Sequence, residues 1–253
     1  MGMEPLLLAA LGGALVGLLL TLFGGGGSVL ATPWLIYVVG VADAHVAIGT
    51  SAAAVAVNAL VGLFAQARGG QVKWPCAVAF GLSGLAGSLG GAALAQQVDG
   101  KALLFWFALA MIAIAVSMLI PRKNEGDPAV RLNAPMVMKL VPLGLAAGFA
   151  AGFFGIGGGF LIVPGLMAST GMTLANAGAS SLVSVALFGG ATSATYLAAG
   201  QFAWPLFGAL VAGGGVGTLA ALPLSRRLAG RAGLARSLFA LMVIAVAIAI
   251  LLD

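Results

Sequence analysis

The sequence predicts an all-α, polytopic membrane protein of two inverted repeats, each with a glycine-broken helical hairpin plus three transmembrane helices. Three observations carry this. Of 253 residues, 62% are hydrophobic and 7% charged, whereas charged residues make up roughly a quarter of soluble domains. Several apolar runs reach the ~20 residues that a helix needs to cross a bilayer. A glycine cluster interrupts the first run at Gly24, Gly25, Gly26, Gly27 and Ser28, and another interrupts a later run at Gly155, Ile156, Gly157, Gly158 and Gly159. Soluble glycine linkers sit among polar residues; these sit among Leu, Val, Ile and Phe. Lipid tolerates such breaks only where protein covers the freed backbone or the backbone lines a cavity.

Taken in order, the first apolar segment runs from Leu6 to Gly40. As one helix it would measure roughly 50 Å, too long for one crossing and short for two, so two shorter helices meeting at Gly24 to Gly27 are expected. Single spans follow at Val46 to Ala65, Trp74 to Ala95 and Ala102 to Ile120. A charged linker, Pro121 to Pro135, is the expected hinge, which divides the chain into a first repeat (1–120), a linker (121–136) and a second repeat (137–253). The second repeat has its broken segment at Val137 to Thr170 and spans at Ala175 to Ala198, Trp204 to Pro223 and Leu234 to Leu252. A transmembrane barrel would instead alternate apolar and polar residues in ~10-residue pieces.

The duplication is legible residue by residue. Phe23 and Gly24 match Phe154 and Gly155, and Gly13 and Gly17 match Gly144 and Gly148, at an offset of 131. Later the offset is 130: Gln71, Trp74 and Pro75 match Gln201, Trp204 and Pro205, and Gly84 and Gly87 match Gly214 and Gly217. Agreement on this scale means one unit repeated. If each broken segment crossed once, the eleven Lys and Arg residues would divide six against five between the two faces. If each enters and returns, the repeats are inverted, and all except Lys101 fall on one face, ten against one. The positive-inside rule selects inversion. It also places the linker in the cytoplasm and both termini in the periplasm. The Met1-Gly2-Met3-Glu4-Pro5 start has no basic n-region, so the first apolar segment is read as retained rather than as a cleaved signal.

Composition also narrows function. The net charge of +5 lies between apolar runs rather than in a patch, which argues for membrane orientation and against nucleic acid. With one cysteine, Cys76, no intrachain disulfide or cysteine-clustered metal site can form, and no cofactor is expected. No span carries a carboxylate or lysine at its middle, which disfavours both a membrane-embedded enzyme and a proton pump relying on a buried acid. His45 and Asp43, in the loop before the second helix, could relay protons, although a lone histidine is more often a surface residue.

The glycine clusters are the candidate site. In inverted repeats they are expected to meet near the midplane, so that helices starting at Ser28 and Gly159 aim N-terminal amides at a shared cavity, an anion site without a cationic side chain. Glycine allows close approach and positive φ. The competing reading is tight helix packing, as the GxxxG spacings Gly13/Gly17, Gly144/Gly148, Gly87/Gly91 and Gly213/Gly217 suggest. The next helix of each repeat starts with small polar residues, Thr50 and Ser51 in one and Ser180 and Ser181 in the other. Their hydroxyls could donate to an anion or bond back to their own helix. Asn58, whose repeat counterpart is Phe188, would break the symmetry. The substrate-binding candidates are therefore Gly24, Gly25, Gly26, Gly27, Ser28, Thr50, Ser51, Asn58, Gly155, Gly157, Gly158, Gly159, Ser180 and Ser181.

These breaks, Phe23 to Ser28 and Phe154 to Gly159, with Pro33 and Pro164 beyond them and a Gly49-Thr50-Ser51 helix start, resemble the TauE/SafE family of sulfite and organosulfonate exporters. The likeness covers nearly the whole chain. It departs from the family pattern at Gly27-Ser28, which stands for Gly-Gly, and at Ser180-Ser181, which stands for Gly-Thr-Ser. The resemblance implies export of a small sulfur-containing anion (sulfite, sulfoacetate or another organosulfonate) by alternating access across a bacterial inner membrane. The expected partners are a small anionic substrate and the lipid bilayer; a homo-oligomer is compatible with the sequence. A passive anion channel using the same glycine-lined site is the alternative.

Overall fold

A computed structural model of the chain describes residues 2–119, 126–155, 159–228 and 232–252, and among these every extended element is a helix. Its elements are α1 (Met3–Phe23), a return arm of 3-10 turn (Gly24–Leu30), α2 (Ala31–Pro33) and π turn (Trp34–Val38), then α3 (Ala44–Ala67), α4 (Trp74–Ala95) and α5 (Gly100–Leu119). The second half repeats this plan as α6 (Ala134–Phe154), α7 (Gly159–Thr170), α8 (Leu174–Ala198), α9 (Trp204–Leu228) and α10 (Ala232–Leu252). Six helices, α1, α3, α4, α6, α8 and α9, are long and apolar enough over their described residues to cross a membrane.

The first broken segment folds back along its own helix α1. Gly27 packs against Leu19 and Leu20 of α1, and further along the arm Trp34 lies on Gly12 and donates its indole Nε1–H to the Leu8 carbonyl at 2.8 Å. The arms are unequal, however. Instead of two short helices meeting at mid-depth, α1 is 21 residues long, about the ~20 that a full crossing takes, and the break comes at its far end.

The halves interlock rather than stand side by side. Helix α1 packs on α9 and α6 on α4, while α3 packs on α8 and α5 on α10. Exchanging the repeats maps this set of pairs onto itself. The correspondence reaches single residues: a methyl group on Gly13 would strike the Leu210 carbonyl and one on Gly17 the Gly214 carbonyl, while Gly144 faces the Phe80 carbonyl and Gly148 that of Gly84. Register gives the directions. Residues 13 and 17 face 210 and 214, so α1 and α9 run parallel, as do α6 and α4. Along α3 and α8, by contrast, Gly49 faces Tyr196 and Gly62 faces Leu182, so these two equivalent helices run antiparallel.

Caps fix where α3 and α8 begin. Asp43 accepts from the backbone N–H groups of His45 and Val46 at 2.8 and 3.4 Å, and its counterpart Thr173 accepts from that of Asn176 at 3.2 Å. Each bond satisfies an otherwise orphaned first-turn donor. The described part of the linker is docked rather than free. The Asp127 N–H donates to Gly171 O at 2.9 Å, the Asn176 side chain donates to Pro128 O at 3.3 Å, and Val130 is buried.

Candidate functional site

Both glycine breaks turn on left-handed backbone, with φ of 67° at Gly24 and 66° at Gly155, where a side chain is strained. Each is also pressed against the opposite half: Gly24 lies on the backbone of Gly178 in α8, and Gly155 on the side chain of Ile48 in α3. Positions 48 and 178 are repeat equivalents. Each tip therefore docks beside the small polar start of the other half's second helix, joining the first cluster to Ser180 and Ser181 and the second to Thr50 and Ser51.

This corrects the expected shared cavity. Because α3 and α8 run antiparallel, their starts lie at opposite ends of the bundle. Gly24 sits at the level of residue 178 and Gly155 near that of residue 196, which are about 27 Å apart along a helix rising 1.5 Å per residue. The tips do not meet at the midplane. What does meet is the pair of return arms, where the first half's 3-10 turn packs on α7 and places Val29, Leu30, Ala31, Ile162, Val163 and Leu166 in one buried core.

The structure sorts the candidates individually. A methyl group on Gly27 would collide with the backbone of α1, so this glycine is a packing residue. Gly25 and Gly26 lie in the 3-10 turn and Gly159 opens α7; Gly157 and Gly158 fall outside the described residues. Ser28 is fully buried. Thr50 Oγ accepts from the backbone N–H of Ala203 at 3.0 Å, and its equivalent Ser180 Oγ from that of Lys73 at 2.9 Å. Each hydroxyl ties a loop of the other half, Thr50 the one leading into α9 and Ser180 the one leading into α4. Ser51 bonds Thr32 of the return arm, hydroxyl to hydroxyl at 2.8 Å, and Ser181 donates to Gly178 O at 2.7 Å. Asn58, near the middle of α3, donates to Leu210 O at 3.4 Å, and its Oδ1 is buried without a partner. It packs on Gly214 as Phe188 packs on Gly84, so amide and ring fill equivalent places.

One group went unassembled in the sequence reading. His45, Tyr196 and Gln201 gather at the end of the bundle where α3 begins. The His45 and Tyr196 rings lie 6.0 Å apart, and Gly49, one turn beyond His45, contacts both Tyr196 and the Gln201 backbone. His45 Nε2, the Tyr196 hydroxyl and Gln201 Oε1 are all buried without a hydrogen-bond partner. His45 opens onto a cleft of about 820 Å³ whose rim carries Asp43, Asp99 and Lys101 and whose wall includes Leu104, Phe105 and Ile250. Only the pairing of α3 with the end of α8 could have revealed this group, since residues 45 and 196 share no local motif.

Six helices long and apolar enough to cross a membrane make this a multi-pass membrane protein, and its relatives place it among membrane transporters. The chain belongs to the sulfite exporter TauE/SafE family, whose pattern matches residues 9–250. It is 43% identical to a probable membrane transporter protein of Xylella fastidiosa (strain Temecula1), over 98% of this chain and 95% of that one. It is 25% identical to the probable membrane transporter protein YunE of Bacillus subtilis, over 85% of this chain and 87% of that one. No solved structure matches it. The family and these relatives are named for transport, not for catalysis.

Proposed function

We propose that this protein exports a small sulfur oxyanion or organosulfonate, sulfite being the first candidate, by alternating access across a bacterial inner membrane. The observation that carries this reading is the docking of each glycine tip on the start of the other half's second helix, Gly24 on Gly178 and Gly155 on Ile48. It makes two equivalent stations, one toward each face. Each combines a glycine-rich turn whose backbone amides can approach an anion with buried hydroxyls. Rocking of one half against the other would open the stations in turn. The antiparallel run of α3 against α8 supports inverted repeats, and the family supports the substrate class.

On this reading the end that carries Arg68, Lys73 and Arg131 faces the cytoplasm and the end that carries both termini faces the periplasm, following the positive-inside rule. A thermal-shift screen of the purified protein against sulfite, sulfate, thiosulfate, sulfoacetate and taurine tests the substrate class, since a ligand at 100 times its Kd stabilises by about 2.7 kcal/mol. Counterflow in proteoliposomes tests the mechanism: unlabelled substrate on the far side should accelerate tracer uptake. If tracer exchange ignores the far-side anion, the protein is a channel.

A further inference from the structure

We infer that His45 and Tyr196 form a one-sided oxyanion site at the mouth of the pathway, present on the face where α3 begins and absent from the other. This rests on the transport reading above for its ligand class, but its evidence is separate. Tyr196 is fully buried, yet its hydroxyl has no partner, and the same is true of His45 Nε2. Two such groups with ring centroids 6.0 Å apart suit a ligand that accepts from both. Leaving either group unsatisfied would cost about 1–3 kcal/mol.

His45 is oriented for this role. Its Nδ1 is turned toward Asp43 Oδ1, 3.7 Å away, which leaves Nε2 as the nitrogen that meets the ligand. The other ionisable groups bordering the cleft are Tyr37, Asp99 and Lys101. Behind His45, Tyr196 and Ile48 share an apolar cluster with Phe153, and Ile48 touches Gly155. His45 thus borders the cleft, while Tyr196 belongs to the buried cluster that reaches one glycine station through Ile48. The repeat counterparts of His45 and Tyr196 are Ala175 and Gln66, so the opposite mouth cannot offer the same two donors.

His45 is the only histidine in the chain, so with a histidine-free affinity tag it is the sole imidazole. The test records the ¹⁵N resonances of labelled histidine, and the rate of its carbethoxylation by diethyl pyrocarbonate, in the detergent-purified protein. Sulfite, sulfate, thiosulfate and phosphate are the probes, with chloride as the ionic-strength control. At least one oxyanion should shift Nε2 saturably and, at ten times its Kd, slow carbethoxylation about tenfold. Tyr196→Phe should abolish both effects without lowering the melting temperature, since it removes a buried hydroxyl that has no partner in the free protein. If no oxyanion shifts or protects the ring beyond chloride, or if Tyr196→Phe behaves as the wild type, the site does not exist. Should the variant fail to fold, protection of the wild type relative to chloride decides alone. Transport measured in parallel separates the two readings: an anion carried without perturbing His45 overturns this site only, while one bound at His45 but never carried overturns the transport reading only.

Discussion

Gly24 and Gly155 combine positive φ with contact on the opposite half, and this sets them apart from their neighbours in the clusters. Gly24→Ala would meet backbone strain of about 1–2 kcal/mol together with a clash on Gly178, so it is expected to fold poorly whatever its effect on binding. Gly26→Ala and Gly157→Ala are the informative substitutions. If their amides face the anion, an added methyl group should abolish binding and transport while the protein still inserts and melts normally. Melting curves beside equilibrium binding on purified variants check this; normal affinity in both would move the anion site elsewhere. Thr50→Val is expected to act first on stability, because it removes the acceptor of the Ala203 N–H, at a cost of about 1 kcal/mol. Ser180→Ala should cost about the same through Lys73, and equal shifts in the two variants would reflect their equivalent bonds.

Among the elements, the α1–α9 and α4–α6 seams owe their closeness to glycine. A methyl group on Gly213 or Gly217 would strike the Ala10 or Ala14 carbonyl, and one on Gly87 or Gly91 the Leu145 or Phe149 carbonyl. Without a hydrophobic drive between helices in lipid, such van der Waals fit is a main source of association. Gly217→Ala and Gly91→Ala should therefore destabilise by about 1–3 kcal/mol through overpacking and leave residual anion affinity unchanged. Thermal melts with and without ligand measure both quantities. A drop in affinity without a drop in stability would mean that the seams belong to the binding site.

At the scale of the molecule, two loop groups mark the ends of the bundle. Residues 68–73, 126–133 and 171–173 gather at one end through the Lys73–Ser180 and Asp127–Gly171 bonds, and 39–43, 96–100 and 199–203 at the other through the Gly100–Ala44 and Ala203–Thr50 contacts. A cysteine replacing Gln97 should react with an impermeant thiol reagent in intact cells and one replacing Arg68 should not; the reverse pattern would invert the orientation. No span carries a carboxylate at its middle, so export of an anion is expected to follow the membrane potential, worth about 2.3 kcal/mol per charge at 100 mV. Efflux from liposomes should track an imposed potassium-valinomycin potential with pH equal on both sides, and strict dependence on a pH gradient would redirect attention to His45 and Asp43.

The sequence by itself determined the class of the protein, its duplication, the position of both breaks and the GxxxG seams. These follow from composition, repeat offset and local spacing, because hydrophobic length and backbone freedom are properties of contiguous residues. Only the tertiary structure decided that α1 is a full-length arm, that Gly27 serves packing, and that Thr50 and Ser180 anchor loops 153 and 107 residues away in the chain. It also separated the two glycine tips that the repeat pattern alone would have brought together at the midplane. The reason is geometric. Sequence periodicity carries no information about how far a hairpin penetrates, which depends on the packing of its arms against the other half. Antiparallel pairing of α3 with α8 then places equivalent residues at opposite ends of the bundle, and for the same reason His45 meets Tyr196 at one end while Ala175 and Gln66 occupy the equivalent positions at the other.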